Sequence, residues 1–161
     1  MALTAERLRN VVAYNQDTGE FTWVEPSGRR VKSGDRAGAF NRSIGYRVIG
    51  IDGVRYYEHR LAWMWMTGGW PSRDIDHMNC DKSDNRWTNL REATMAQNIA
   101  NIASWRHNTS GLKGAHWSKS AQRWSSRIGG RHLGLFDTKE DAHEAYAKAS
   151  REKFGEFARV R

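Results

Sequence analysis

The stretch DIDHMNCDKSDNRWTNLREATMAQNIAN, residues 74 to 101, constrains this chain more than any other. It holds five asparagines, four aspartates and one histidine, with too few apolar side chains to build a core alone. It must therefore be pinned to its neighbours, among them the very hydrophobic LAWMWMTGGW at 61 to 70. Short polar side chains at this density are either a loop in which Asn and Asp shape the turns, or a site where hard oxygen donors gather around a cation and a phosphate.

The flanking pattern favours a built site. Leu3 to Tyr14 reads as a short amphipathic helix with Leu8, Val11 and Val12 on one side. Asp17, Thr18 and Gly19 then turn the chain into a strand carrying Phe21 and Trp23. GYRVIGIDGVRYYEHRLAW is a hairpin signal, with Val48 and Ile51 before an Asp52-Gly53 turn and Val54 and Tyr56 after it. From Arg60 the spacing of Leu61, Trp65 and Met66 becomes helical, until Gly68, Gly69 and Pro71 stop it. RDIDH then reads as a strand, a loop runs to Asn85, and Trp87 to Leu90 reads as a second strand. Thr94 and Gln97 form a capping-box pattern that starts a helix striped by Met95, Ile99 and Ile102. Strand, loop, strand and helix make a ββα unit that would bring Asp76, His77, Asn89 and Asn98 within reach of one another.

Those residue types suit phosphodiester hydrolysis. A histidine can deprotonate water near neutral pH. One Asp and one Asn supply hard oxygen ligands for Mg²⁺ or Mn²⁺ and leave positions open for phosphate and water. Cys80 is the single cysteine, so neither an internal disulfide nor a cysteine-rich zinc cluster is available. The formal charge of +8 points to an anionic partner, nucleic acid above all. The first sixteen residues lack the apolar run of a signal peptide, and the window at 61 to 70 is too short to cross a bilayer. The expectation is a soluble, intracellular protein with no membrane contact and no obligatory protein partner.

On these residues the chain resembles an HNH endonuclease of the ββα-metal (His-Me finger) class, in its phage homing-endonuclease-like branch. The resemblance runs from about residue 10 to residue 104, through YNQDTGEFTW, GYRVIGIDGVRYYEHRLAW and GGWPSRDIDHMNCDKSDNRWTNLREAT. It implies His77 as general base, and Asp76 and Asn98 as ligands of one Mg²⁺ or Mn²⁺ per site. It also implies that Asn89 orients His77 and braces the finger. Asn85 reads as a turn residue, and His59 and Arg60 match the family's His-Arg-Leu stretch without an assigned role. Cys80 stands where the family more often has glycine in the turn. Such a protein would work in the cytoplasm of a bacterial or phage-infected cell.

Beyond a linker at WRHNTSG (105 to 111) the chain offers three strands, KGAHWS, RWSSRIG and RHLGLF, and a helix capped by Thr138 and stopped by Gly155. Residues 112 to 158 resemble the ethylene-response-factor (APETALA-type) DNA-binding domain, most specifically in HLGLFDTKEDAHEAYAKAS. The expected fold class is α+β. A ββα-metal nuclease module with N-terminal antiparallel strands (1–105) precedes a three-stranded antiparallel sheet packed on one helix (106–161). Two basic clusters would hold double-stranded DNA: Arg29, Arg30, Lys32, Arg42, Arg47 and Arg55 in the first module, and Lys113, His116, Arg123, Trp124, Arg127 and Arg131 in the second. The expected activity is metal-dependent DNA nicking. The alternative is a sequence-specific DNA-binding regulator with a non-catalytic finger, and an RNA-binding basic protein is a third possibility.

Overall fold

A computed structural model describes residues 2–25, 28, 30–102 and 108–160. The architecture is α+β, as expected. Contacts divide the chain into two compact units, Met1–Ala93 and Thr94–Arg161.

The first unit opens with helix α1 (Ala5–Val11), capped by the Thr4 side chain accepting from the Arg7 amide. The amphipathic stretch reads as one helix to Tyr14, but it turns into strand β1 (Val12–Asn15) after Val11. Val12 and Tyr14 pair with Trp23 and Phe21 of β2 (Glu20–Trp23), and that ladder replaces the last helical turn. Strands β3 (Ala39–Asn41), β4 (Tyr46–Ile51) and β5 (Val54–Tyr57) form an antiparallel meander. Its Asp52-Gly53 corner has positive φ at both residues (51° and 80°), the twist that a two-residue hairpin needs.

Helix α2 (Glu58–Thr67) follows and ends on Gly68 in the left-handed conformation. Leu61, Ala62 and Met64 of α2 bury against Leu8, Val11, Val12, Phe21, Ile49 and Ile51 in one core. Strand β6 (Asp74–His77) pairs antiparallel with β7 (Leu90–Ala93), which is preceded by a 3-10 turn, Trp87–Asn89. The second strand of this hairpin thus begins at Leu90, later than the apolar pattern suggests, because Trp87 to Asn89 close the turn. Ile75 and Leu90 join the core and anchor the hairpin's inner side.

The β1–β2 turn ties the core to the loop of the hairpin. The Tyr14 hydroxyl donates to the Asn85 carbonyl at 2.6 Å, and the Trp87 amide donates to the Gln16 carbonyl at 2.9 Å. Gly19, at φ +75°, lies so close that a Cβ would stand 2.4 Å from the Arg86 nitrogen. Backbone on backbone cannot yield, so only glycine fits.

The second unit starts with helix α3 (Met95–Asn101), whose capping box between Thr94 and Gln97 is formed in both directions. The stripe expected to face a core is exposed: Met95 is 72% and Ile99 53% accessible. The buried residues of this two-turn helix are Ala100 and Asn101 instead. The Lys113 ammonium holds its C-terminal end, donating to the Ala100 and Ile102 carbonyls (2.7 and 2.8 Å) and to that of Arg159 (2.9 Å). This tie explains why α3 groups with the second unit, where the sequence suggests a boundary at residue 105. Residues 105–107 of the expected linker lie outside the described residues.

Strands β8 (Ala115–Ser118), β9 (Arg123–Ile128) and β10 (Arg131–Phe136) form an antiparallel sheet in the order β10-β9-β8. Helix α4 (Lys139–Phe154), capped by Thr138 and stopped at Gly155, packs on all three strands. Its small side chains Ala142 and Ala147 are buried and let the backbones approach.

We expect Gly19→Ala to destabilise the first unit by about 3 kcal/mol, through backbone overlap and a left-handed alanine. Urea unfolding checks this, and a loss below about 1 kcal/mol would mean that the turn does not carry the Asn85 segment.

Candidate active site

Antiparallel pairing sets Asp76 opposite Arg91 and His77 opposite Leu90. Asp76 is buried, and its Oδ2 accepts from Arg91 Nε at 2.9 Å. A buried carboxylate needs such a donor, since burial without one disfavours its charge. His77 is also buried, at the end of β6 where the loop begins. Its Nε2 lies 3.1 Å from Asn85 Oδ1.

Asn85 is no surface turn residue. It is 1% accessible, and its Nδ2 donates to Glu58 Oε2 at 3.1 Å. Glu58 starts α2 and is wholly buried. Both its oxygens accept from Arg47 Nε (3.1 and 3.2 Å), and Arg36 stands 3.5 Å away. Burial pushes the Glu58 carboxyl up, and Arg47 and Arg36 oppose it. Room for Glu58 comes from Gly38, where a Cβ would approach Oε1 to 2.5 Å. Nothing in the sequence announces this glutamate, because an acidic residue in the first turn of a helix is ordinarily solvated.

Asn89 holds the loop itself. Its Oδ1 accepts from the Asn79 amide at 3.0 Å and its Nδ2 donates to the Asp84 carbonyl at 2.8 Å. Arg86 grips the Asp84 carboxylate (2.6 and 2.8 Å) and holds its pKa down to about 2. Cys80 takes φ +65° within this loop, the conformation in which glycine costs least.

One wall of the site is aromatic. The His59 ring meets that of His77 edge-on at 5.1 Å, Tyr57 stacks on His59, and Tyr46 approaches both histidines. The Lys82 ammonium lies over Tyr46 at 4.5 Å, a cation at the rim. Burial, reinforced by His77, Arg60 and Lys82, pulls the His59 pKa down to about 3. Burial also lowers that of His77, resisted by the Asn85 hydrogen bond and by Asp76, Asp81 and Asp84. Both rings are therefore neutral at pH 7, and neutral imidazole is the form that accepts a proton.

A family model for HNH endonucleases matches residues 56–100, which span Glu58, His59, Asp76, His77, Asn85, Asn89 and Asn98. The chain is also 33% identical over 90 residues to Protein 3.8 of Escherichia phage T7, covering 54% of this chain and 74% of that protein. The chain belongs to the HNH endonuclease family. No solved structure matches it.

Members of this family generally use divalent metal ions. Among the described residues no group of three or more His, Cys, Asp or Glu is arranged to hold a metal ion. The oxygen donors present at this HNH site are of the kind that suits a hard divalent cation. They do not fit a closed structural zinc site. Asn98, half-buried on α3, belongs to the second unit.

The basic residues divide by what already occupies them. Arg30, Lys32, Arg42 and Arg55 are exposed, and Arg42 and Arg55 line an open groove with Phe40 and Val48. Arg47 is engaged by Glu58, and Lys113 by three carbonyls, so the charge of each is used within the fold. Arg29 lies outside the described residues. In the second unit, register sets His116 opposite Ser125, Ser118 opposite Arg123 and His132 opposite Arg127. His116, Arg123 and Arg127 therefore share one face of the sheet, all exposed, although Arg123 pairs with exposed Asp137. Trp124 is on the other face, edge-on to Trp117 at 5.4 Å, and Arg131 is exposed at the start of β10. No helix among the described residues is long and apolar enough to cross a membrane.

The depressed His59 pKa sets an acid limit. The unfolded chain takes up the proton near pH 6.5 and the folded one only near pH 3. Stability should therefore fall as pH drops below about 6.5, by about 1.4 kcal/mol per unit for each such histidine. His59→Gln should flatten that slope by about one proton, measured as unfolding free energy between pH 7 and pH 5. An unchanged slope would remove His59 as the cause.

The left-handed Cys80 supplies a second check. Cys80→Gly should leave the fold intact and raise stability by about 0.5–1 kcal/mol, read from the midpoint of urea unfolding. A loss of stability would mean that the thiol's own contacts outweigh the backbone strain.

Proposed function

We propose that this protein is a metal-dependent DNA endonuclease that nicks one strand. His77 takes a proton from a water, whose oxygen attacks the phosphorus, and the bond to the 3′ oxygen breaks. A 5′-phosphate and a 3′-hydroxyl result, the leaving oxygen gaining its proton from solvent. Asp76 and Asn98 are the ligands for one Mg²⁺ or Mn²⁺. When bound, that ion would offset the charge building on the phosphate and the leaving oxygen. Asn89 braces the loop beneath His77. The single observation that carries this reading is a buried His77 beside Asp76, at the centre of the HNH match.

Residues 1 to 105 would form the catalytic module. The module from 106 to 161 would add a second, ethylene-response-factor-like DNA surface built on His116, Arg123, Trp124, Arg127, Arg131 and Lys113. Arg29, Arg30, Lys32, Arg42, Arg47 and Arg55 would serve the first. Two modest surfaces on one chain raise affinity through effective concentration. Of these, the exposed arginines and Lys32 are the ones best suited to phosphate, since Arg47 also pairs with Glu58 and Lys113 also donates to backbone carbonyls.

Supercoiled plasmid incubated with the protein and Mg²⁺ or Mn²⁺ should become nicked, and chelator should abolish this. His77→Ala should lower the nicking rate by about 10²- to 10⁴-fold, the usual contribution of a positioned base. If wild type and variant both bind DNA and leave it intact, the protein is a DNA-binding regulator with a structural finger.

A further inference from the structure

Asn89 is the asparagine that the family pattern offers for orienting the histidine, yet the side chain facing His77 Nε2 is that of Asn85. Which way the Asn85 amide points is not a matter of choice. Both Glu58 oxygens accept from Arg47 Nε, so they serve as acceptors, and Glu58 Oε2 can engage Asn85 only through the amide nitrogen. That leaves Asn85 Oδ1 towards His77 at 3.1 Å. A carbonyl oxygen accepts and never donates, so Nε2 must carry the ring proton.

We propose that Glu58 and Asn85 are positioning residues that fix His77 in its Nε2–H tautomer and so put the basic lone pair on Nδ1. This rests on the reading of His77 as the base. The chain runs Arg47 and Arg36 to Glu58, Glu58 to Asn85, and Asn85 to His77, with Glu58 and Asn85 both essentially excluded from water. Each link is held from elsewhere. Gly38 makes room for Glu58, the Tyr14 hydroxyl holds the Asn85 carbonyl, and Gly19 lets the β1–β2 turn close on the Asn85–Arg86 peptide. An imidazole in the other tautomer would set two lone pairs against each other across 3.1 Å, unless the amide flipped and turned its oxygen towards a carboxylate.

The test uses the full-length protein labelled with ¹⁵N, without DNA, at a pH where His77 is neutral. Long-range ¹H–¹⁵N correlation reports which ring nitrogen carries the proton, and His77→Ala assigns the signal. Wild type should show Nε2–H. Observation of Nδ1–H overturns the proposal, whatever any variant does.

Glu58→Gln keeps the shape of the side chain but can present an amide nitrogen, so the Asn85 amide is no longer compelled. A fraction of Nδ1–H should appear, and plasmid nicking should fall about 10- to 100-fold, as when the partner that fixes a histidine tautomer is lost. The fall should lie in kcat, with KM for plasmid little changed. Asn85→Leu should lose the tautomer preference altogether. A folded Glu58→Gln protein with the wild-type tautomer and rate overturns the role of Glu58. If wild type shows Nε2–H but nicks no DNA, the nuclease reading fails and the tautomer control stands.

Discussion

A carboxylate with no access to water is the constraint on which this molecule turns. Glu58 is fully buried, and a buried charge survives only where cations and donors replace the lost hydration. Arg47 from β4, Arg36 from the loop before β3 and the Asn85 amide supply them. These partners come from segments far apart in the chain, so satisfying one charge draws the meander, helix α2 and the polar loop together. Removing a single partner would strand the others, which gives the arrangement its specificity more than its net stability.

From that knot the hierarchy runs outwards. The apolar core of α1, α2, β2 and β4 supplies most of the favourable burial and a rigid base. The β6–β7 hairpin adds only Ile75 and Leu90 to it. The polar loop between these strands gains its order from hydrogen bonds instead: Asn89 across the loop, Arg86 on Asp84, and the β1–β2 turn on the Asn85 segment. A short loop rich in Asn and Asp can thus be as well defined as a core, provided that its side chains find each other.

The aromatic wall has an electrostatic consequence. Tyr46 and His59 pack against one side of His77, and its burial favours the neutral ring. Asp76, Asp81 and Asp84 work in the other direction and hold the depression in check. The same side chains that shelter the ring leave the protein sensitive to acid, because His59 and His77 are both buried in the neutral form.

Much of this was legible in the sequence because it is governed by local rules. The Asp52-Gly53 corner, the Gly68 stop, the Thr94 box and the Thr138 cap each depend on a few adjacent residues, and each formed as its chemistry dictates. The resemblance around Asp76 and His77 picked out the candidate site for the same reason, since its residues lie in one short stretch. What the sequence could not convey was partnership across distance. Arg47 and Lys113 read as surface cations and became internal ties; Asn85 read as a turn residue and became the partner of His77. The stripe on α3 read as a core face and lies exposed, while Ala100 and Asn101 take the buried positions of that helix. Element type follows from backbone sterics and side-chain spacing within a few residues. Which donor meets which acceptor is decided only when the tertiary fold removes water and leaves each buried charge a single set of neighbours.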